Sequence, residues 1–390
     1  MGCFQIKIKS IPLHPNLEPI ILSRTGTMIA HKSLKIIVTF TLALALLPFN
    51  AFAKDDSQAE ESKDEFNPTD MIMHHIGDSH GWHFFGEGDS SFTLPLPVIL
   101  FTEEDGFVTF MSSEFHHDTE GQHVVEKDGM RFVNYHEDIY KLDAGAETVE
   151  FDEEHNVLNA SKPWDFSITK NVAAMFLTVI LMLVFFFGLA GHHKKNKKAP
   201  AGFNNILETL VLFVRDEIAR PQIGDKKYMK FMPFLLTVFF FIWITNLLGL
   251  LPGAANVTGN IAVTVSLGLF TLALILINGN KDFWQHTLWM PGIPTFVKPI
   301  LAVVEVLGLI IKPVALMIRL FANITAGHII ILSLIGLIFI LESAGVAGIS
   351  VPFALFITVL ELLVAFLQAF IFTMLSALFI GMAVAEHEHH

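Results

Sequence analysis

Arg319 stands inside one of the most apolar stretches of the chain, Ala315-Leu-Met-Ile-Arg-Leu-Phe-Ala-Asn-Ile-Thr-Ala-Gly-His328-Ile-Ile-Ile-Leu332. A guanidinium at the centre of a bilayer costs roughly 2.5 to 3.5 kcal/mol on insertion scales, so a chain that keeps one there uses it. Glu305, Asn323 and His328 share this tract, and Glu361 and Gln368 lie in the next one. Histidine beside a carboxylate exchanges protons near neutral pH. Arginine keeps its proton and acts as a fixed positive charge. The histidine and carboxylate predict a path suited to passing protons near neutral pH. No Gly-x-x-x-x-Gly-Lys-Ser/Thr loop for nucleotide phosphates occurs, and no cofactor is expected.

Helical periodicity sorts these groups into faces, taking about 100° per residue. Arg319 and Asn323 share one face, whereas His328 points to the opposite side. Glu361 and Gln368, seven residues apart, fall on a single stripe. Glu305 precedes Arg319 by fourteen residues and nearly shares its face, although Pro313 intervenes and can alter that alignment. Two environments follow: an arginine face presented to a partner, and a His328 and Glu361 face lining a polar path.

The elements that must hold these groups are membrane helices, because 52% of residues are hydrophobic and only 16% are charged. A first span covers residues 171–191 and ends in His192-His-Lys-Lys-Asn-Lys-Lys198, a basic cluster that marks the cytoplasmic side. Residues 203–220 are amphipathic and charged on one side, as in an interfacial or hairpin helix. Spans at 228–251 and 256–278 follow, joined by Leu251-Pro-Gly-Ala254, and Lys226, Lys227, Lys230 and Lys281 again put bases inside. Apolar tracts at 295–341 and 345–385 close the chain. As one helix the first would be about 70 Å long, more than twice the roughly 30 Å hydrocarbon thickness. Each tract is therefore two ordinary spans, or the two form a strongly tilted helical hairpin. The distribution of ionisable groups favours the hairpin, across which they would meet. Lys298 and Lys312, near tract edges, read as interfacial anchors.

Ahead of the spans the charge is of opposite sign. Residues 54–165 hold 27 Asp and Glu against 6 Lys and Arg, whereas the remainder holds 11 acids against 19 bases. Residues 28–53 read as a signal peptide, with a basic start, an apolar core at 36–47 and Ala51-Phe-Ala53 as cleavage site. Residues 1–27 are then an upstream extension, and they carry Cys3, the single cysteine. The acidic segment is expected to be exported and, after a leader, to form a small β-rich domain. Runs such as Gly106-Phe-Val-Thr-Phe-Met111 and Met130-Arg-Phe-Val-Asn-Tyr135, punctuated by Asp-Gly, have the alternation of short strands. Its nine histidines, among them His74, His75, His80, His83, His116 and His117, fit no metal-ligand spacing.

The membrane part, over roughly 172–386, resembles the a subunit of F-type ATP synthases. Three motifs carry the resemblance: Asn246-Leu-Leu-Gly-Leu-Leu-Pro252, Arg319-Leu-Phe-Ala-Asn-Ile-Thr-Ala-Gly327 and Leu367-Gln-Ala-Phe-Ile-Phe-Thr-Met374. The resemblance implies an all-α polytopic membrane domain of about five crossing helices plus an amphipathic hairpin, its last two long helices tilted against a ring of c subunits. It implies that Arg319 faces that ring, and that Glu305, Asn323, His328, Glu361 and Gln368 belong to two aqueous half-channels for protons, with Asn246 a further candidate in the outer one. Some bacterial members have a carboxylate where His328 stands and a histidine where Glu361 stands; the swap keeps one acid and one base. Gly249 stands where some members have an acid. Implied partners are the c ring, b subunits and the rest of the ATP synthase, within a bacterial inner membrane, with the N-terminal domain periplasmic and the C-terminus cytoplasmic. No catalytic residue, metal or nucleic acid is implied. The alternative is a proton-coupled secondary transporter, which predicts two internally similar halves that the sequence does not display.

Overall fold

The computed structural model describes residues 77–385 except 86–91, 104, 105, 117, 144, 147, 151–156, 196–201, 252, 254, 291 and 342. The expected extension (1–27), signal peptide (28–53) and acidic leader (54–76) lie outside the described residues, as do His74, His75 and His117.

Among the described residues, nine short strands form the N-terminal domain: β1 (Gly81–Phe85), β2 (Phe92–Pro95), β3 (Pro97–Thr102), β4 (Gly106–Met111), β5 (Val125–Lys127), β6 (Met130–Tyr135), β7 (Asp138–Leu142), β8 (Ala160–Ser161) and β9 (Trp164–Asp165). They pair antiparallel as a β1-β2 hairpin, a β4-β3-β9 sheet and a β5-β6-β7-β8 sheet. Both runs read as strands from their alternation are strands, β4 and β6. Val98 and Leu100 of β3 turn inward to meet Val108, Phe110, Phe132 and Ile139, while Pro97, Ile99 and Phe101 face outward. The β5–β6 turn is Asp128-Gly129, both at positive φ, the backbone that matches strand twist in a two-residue hairpin.

The rest is helical. The elements are α1 (Lys170–Lys195), α2 (Phe203–Phe213), a π-turn (Val214–Ala219) that runs into α3 (Arg220–Ile223), α4 (Tyr228–Gly249), α5 (Ile261–Asn278), α6 (Lys281–Leu288), α7 (Lys298–Leu341) and α8 (Ala344–Val384). Five of them, α1, α4, α5, α7 and α8, are long and apolar enough to cross a membrane. The two closing tracts are single helices of 44 and 41 residues, α7 continuing through Pro313. Of the two arrangements left open above, the helical hairpin is the one formed. At about 66 Å, α7 can lie within a bilayer only if steeply tilted.

Helix α4 is apolar on every side and lies at the centre, with Leu235, Val238, Phe239 and Ile242 fully buried. Helices α1 and α8 pack against α4, and α5 and α8 pack against α7. Small residues permit the close approaches. A side chain on Gly381 of α8 would collide with the Gln222 carbonyl, and one on Gly268 of α5 would meet the Pro313 carbonyl of α7 at 3.4 Å. The short α6, which sequence periodicity did not separate from its flanking loops, carries Trp284 and His286 beside the start of α7.

Candidate functional site

Helix α7 threads the candidate residues between the two ends of the bundle. Near its start, Glu305 lines a cavity of about 320 Å³ with Ile275, His286, Lys312, Phe379 and Met382. The lysine-rich end of the bundle is here: Lys227 donates to the Val384 carbonyl at 2.7 Å and Lys230 to Asn278 Oδ1 at 2.6 Å. Lys312 lines this cavity, with its ammonium 5.5 Å from the Phe379 ring centre. Lys298 lies over the Trp289 ring at 4.8 Å, as an anchor does.

Nine residues beyond Arg319, at the end that carries the N-terminal domain, His328 aims Nε2 at Gly249, 3.9 Å from where a Cβ of that glycine would be. Gly249 is thus a backbone niche facing the imidazole. One turn earlier in α4, Asn246 is buried and accepts a hydrogen bond from Thr258 at 2.7 Å, while its Nδ2 has no partner among the described residues. Glu361 of α8 is pressed against Gly327: a side chain at 327 would collide with its carboxylate, and Cδ lies 2.7 Å from the Cβ position. Glycine is required here because the acid fills the volume a side chain would take. Glu361 is 8% exposed, and neither of its oxygens has a hydrogen-bond partner among the described residues. Gln368, two turns on, is buried on the same stripe, and Thr325 Oγ1 and Thr373 Oγ1 are also buried without partners among the described residues. A buried polar atom left unpaired costs about 1–3 kcal/mol, so such atoms call for water as a partner.

Arg319 and Asn323 lie on the opposite, bare face of α7, both exposed. Around them Ala315, Ala322 and Ala326 are exposed too, which gives that face little relief. The structure therefore brings His328, Glu361 and Asn246 into one neighbourhood through Gly327 and Gly249. It keeps Glu305 apart at the other end, and leaves Arg319 between them by position along the helix. Axial rise alone separates Arg319 from Glu305 by about 21 Å and from His328 by about 14 Å.

The family model described as ATP synthase A chain matches residues 172–381, more than half of the 390-residue chain. The chain belongs to the ATP synthase A chain family. The "ATP synthase subunit a" of Chloroherpeton thalassium is 48% identical over 233 residues, covering 58% of this chain and 69% of the relative. That of Myxococcus xanthus is 49% identical over 232 residues, covering 58% and 76%. "ATP synthase subunit a 2" of Chlorobaculum tepidum is 49% identical over 242 residues. A second family model, Domain of unknown function (DUF8433), matches residues 71–166, the β domain. The ATP synthase A chain match covers α7 and the Gly327 niche, and so takes in every candidate residue named from the sequence.

Sequence reasoning missed His286, Lys312 and Thr258 as neighbours of the polar groups. His286 meets Glu305 only because α6 folds back on α7, whereas Lys312, seven residues after Glu305 in α7, shares its face. Thr258 was detectable in principle, as a hydroxyl in the short connection that follows Asn246-Leu-Leu-Gly. At the junction of the two domains lies a third polar group. His80 Nε2 donates to Asp165 at 2.7 Å, and Asp78 accepts from Thr169 Oγ1 and the Asn171 amide at 3.0 and 3.1 Å. Burial pushes the Asp78 carboxyl up, while Asp165 is held below the usual carboxylate range by His80, against its own desolvation.

Proposed function

We propose that this chain, an ATP synthase subunit a homologue and non-catalytic itself, guides protons through two offset half-channels on either side of Arg319. One observation carries the reading: α7 bears Glu305 in a polar cavity at one end and His328 toward the other, where buried Glu361 of α8 and Asn246 of α4 are its neighbours, with an exposed arginine between. The lysine-rich end is the cytoplasmic one by the positive-inside rule, so Glu305 serves the inner half-channel and His328 with Glu361 the outer. Residues 54–165 are then outside the cell, delivered by the signal peptide at 28–53, and residues 166–390 form the membrane domain.

The bare face of α7 fits a rotating ring of c subunits. A ring carboxylate, neutral while it faces lipid, meets Arg319, and the positive charge favours loss of its proton toward the inner cavity. The emptied carboxylate passes the guanidinium and is reloaded from Glu361 and His328. Asn323, on the arginine face, and Gln368, on the Glu361 stripe, hydrogen-bond the transferred groups. Arg319 keeps its proton throughout, and its charge closes the direct route between the half-channels, so protons cross only by riding the ring. Each one moving down the membrane potential supplies about 2.3 kcal/mol per 100 mV. The ring, the b subunits and the peripheral ATPase complete the assembly. Nothing in the bundle favours a transporter.

The test is Arg319→Ala in the assembled complex. ATP-driven acidification of inverted membrane vesicles should be lost, and normal acidification would refute the role given to Arg319.

A further inference from the structure

The β domain touches the membrane domain at one place that matters for the outer path. Trp82 of β1 packs against the membrane-domain core and donates its indole N–H to the Gly253 carbonyl at 2.9 Å. Gly253 has φ +73°, and a side chain there would come within 2.8 Å of the Phe84 Cα and carbonyl oxygen, so strand and turn meet backbone to backbone. The indole also stacks on Phe84, with ring centres 5.2 Å apart. Strand β1 is itself tied to the top of α1: the Lys170 amide donates to the Ser79 carbonyl at 2.9 Å, and Ser79 Oγ to the Gly81 carbonyl at 2.7 Å. A continuous set of bonds thus runs from α1 through β1 to the connection between α4 and α5.

That connection builds the wall of the polar site. The Ala255 carbonyl and His328 Nε2 lie 3.7 and 3.9 Å from the same Cβ position of Gly249. Thr258 bonds Asn246, and Asn256 turns the chain by accepting from the Gly259 amide at 3.0 Å. A connection released at Gly253 can shift Ala255 and Thr258 relative to His328 and Asn246.

We infer that Trp82 is a positioning residue for proton entry: its clamp on Gly253 makes the β domain a built-in brace for the wall of the outer half-channel. The inference rests on the assignment of the His328 end to the outer half-channel. It gives the β domain a task, namely to hold Gly253 and the 255–260 stretch in the register that aligns Asn246, Thr258 and His328.

The experiment uses the complete synthase in inverted vesicles. ATP synthesis is driven by acid–base jumps at a series of luminal pH values, and rates are normalised to the amount of assembled complex. Trp82→Phe keeps the ring and deletes the donor; a net hydrogen bond of this kind corresponds to about a 2- to 10-fold change in the population of the braced wall. The rate should fall by that factor at high luminal pH, where proton entry limits, and recover as the lumen is made acidic. Trp82→Ala should show a larger fall of the same kind. A Trp82→Phe profile that superimposes on the wild type overturns the inference, as does a fall that is equal at every luminal pH. If Trp82→Ala does not assemble, Trp82→Phe decides alone. Arg319→Ala run in parallel separates the two readings: its full activity sinks the half-channel assignment itself, whereas its inactivity beside an unchanged Trp82→Phe profile removes only the brace.

Discussion

Helices α4 and α7 are about equally apolar but are used in opposite ways. In α4, 83% of the most apolar stretch is buried within the chain, against 17% in α7. The first is apolar all round and finds protein all round; the second shows a fixed cation on a bare, small-residue face. Lipid satisfies apolar side chains, but it does not satisfy Arg319. The difference teaches that α4 is scaffold and, on the proposed function, that α7 is one wall of a site whose other wall belongs to a partner.

Each way of breaking that contrast has an expected outcome. The largest effect is at Arg319, where alanine should abolish ATP-driven vesicle acidification. Next comes Gly327→Val, which forces the Glu361 carboxylate out of its niche and should cut proton pumping at least tenfold with the complex still assembled; an unchanged rate would show that the niche is incidental. In the scaffold, Phe239→Ala should act on stability instead. Truncating a fully buried aromatic costs about 3–5 kcal/mol, to be seen as loss of heat-resistant folded subunit in detergent, with the activity per surviving complex intact.

The smallest effect belongs to the domain junction and depends on pH. His80 is raised above 6.5, its burial outweighed by its bond to Asp165, so the stability it gives is complete below that value and lost as pH rises through the raised one. Asp78, also raised, acts in the same direction. Asp165, lowered from 3.8, contributes above that value and is lost as pH falls through the lowered one. The pair is therefore strongest between 3.8 and 6.5. His80→Gln should remove about 1–3 kcal/mol there and flatten the alkaline side of the profile, measured by hydrogen exchange at β9 and the start of α1. An exchange profile that keeps its pH dependence would count against the pairing.

Much of this architecture was legible because long apolar tracts and helical angles are local properties. The length of residues 295–341 raised the prospect of a tilted hairpin, and counting 100° steps put Arg319 with Asn323 and Glu361 with Gln368, as found. The same arithmetic placed Glu305 near the arginine face, yet it points into the cavity with His286 and Lys312. The missed contacts share a cause. Trp82 with Gly253, and α6 against α7, join segments far apart in sequence through irregular connections, where neither periodicity nor composition records the partner. Gly249 was noticed as a missing acid; that its vacancy faces His328 needed the fold.

One further consequence follows from how α8 is mounted. Its C-terminal half is wedged against α3, α4 and α5 by Ala365, Ala369, Ala377 and Gly381, whereas most residues between 345 and 360 are exposed. A rod gripped along half its length passes any sideways load to the lip of its mount. That lip is the turn bearing Glu361, so torque from a rotor would be felt first at the residue proposed to hand over the proton.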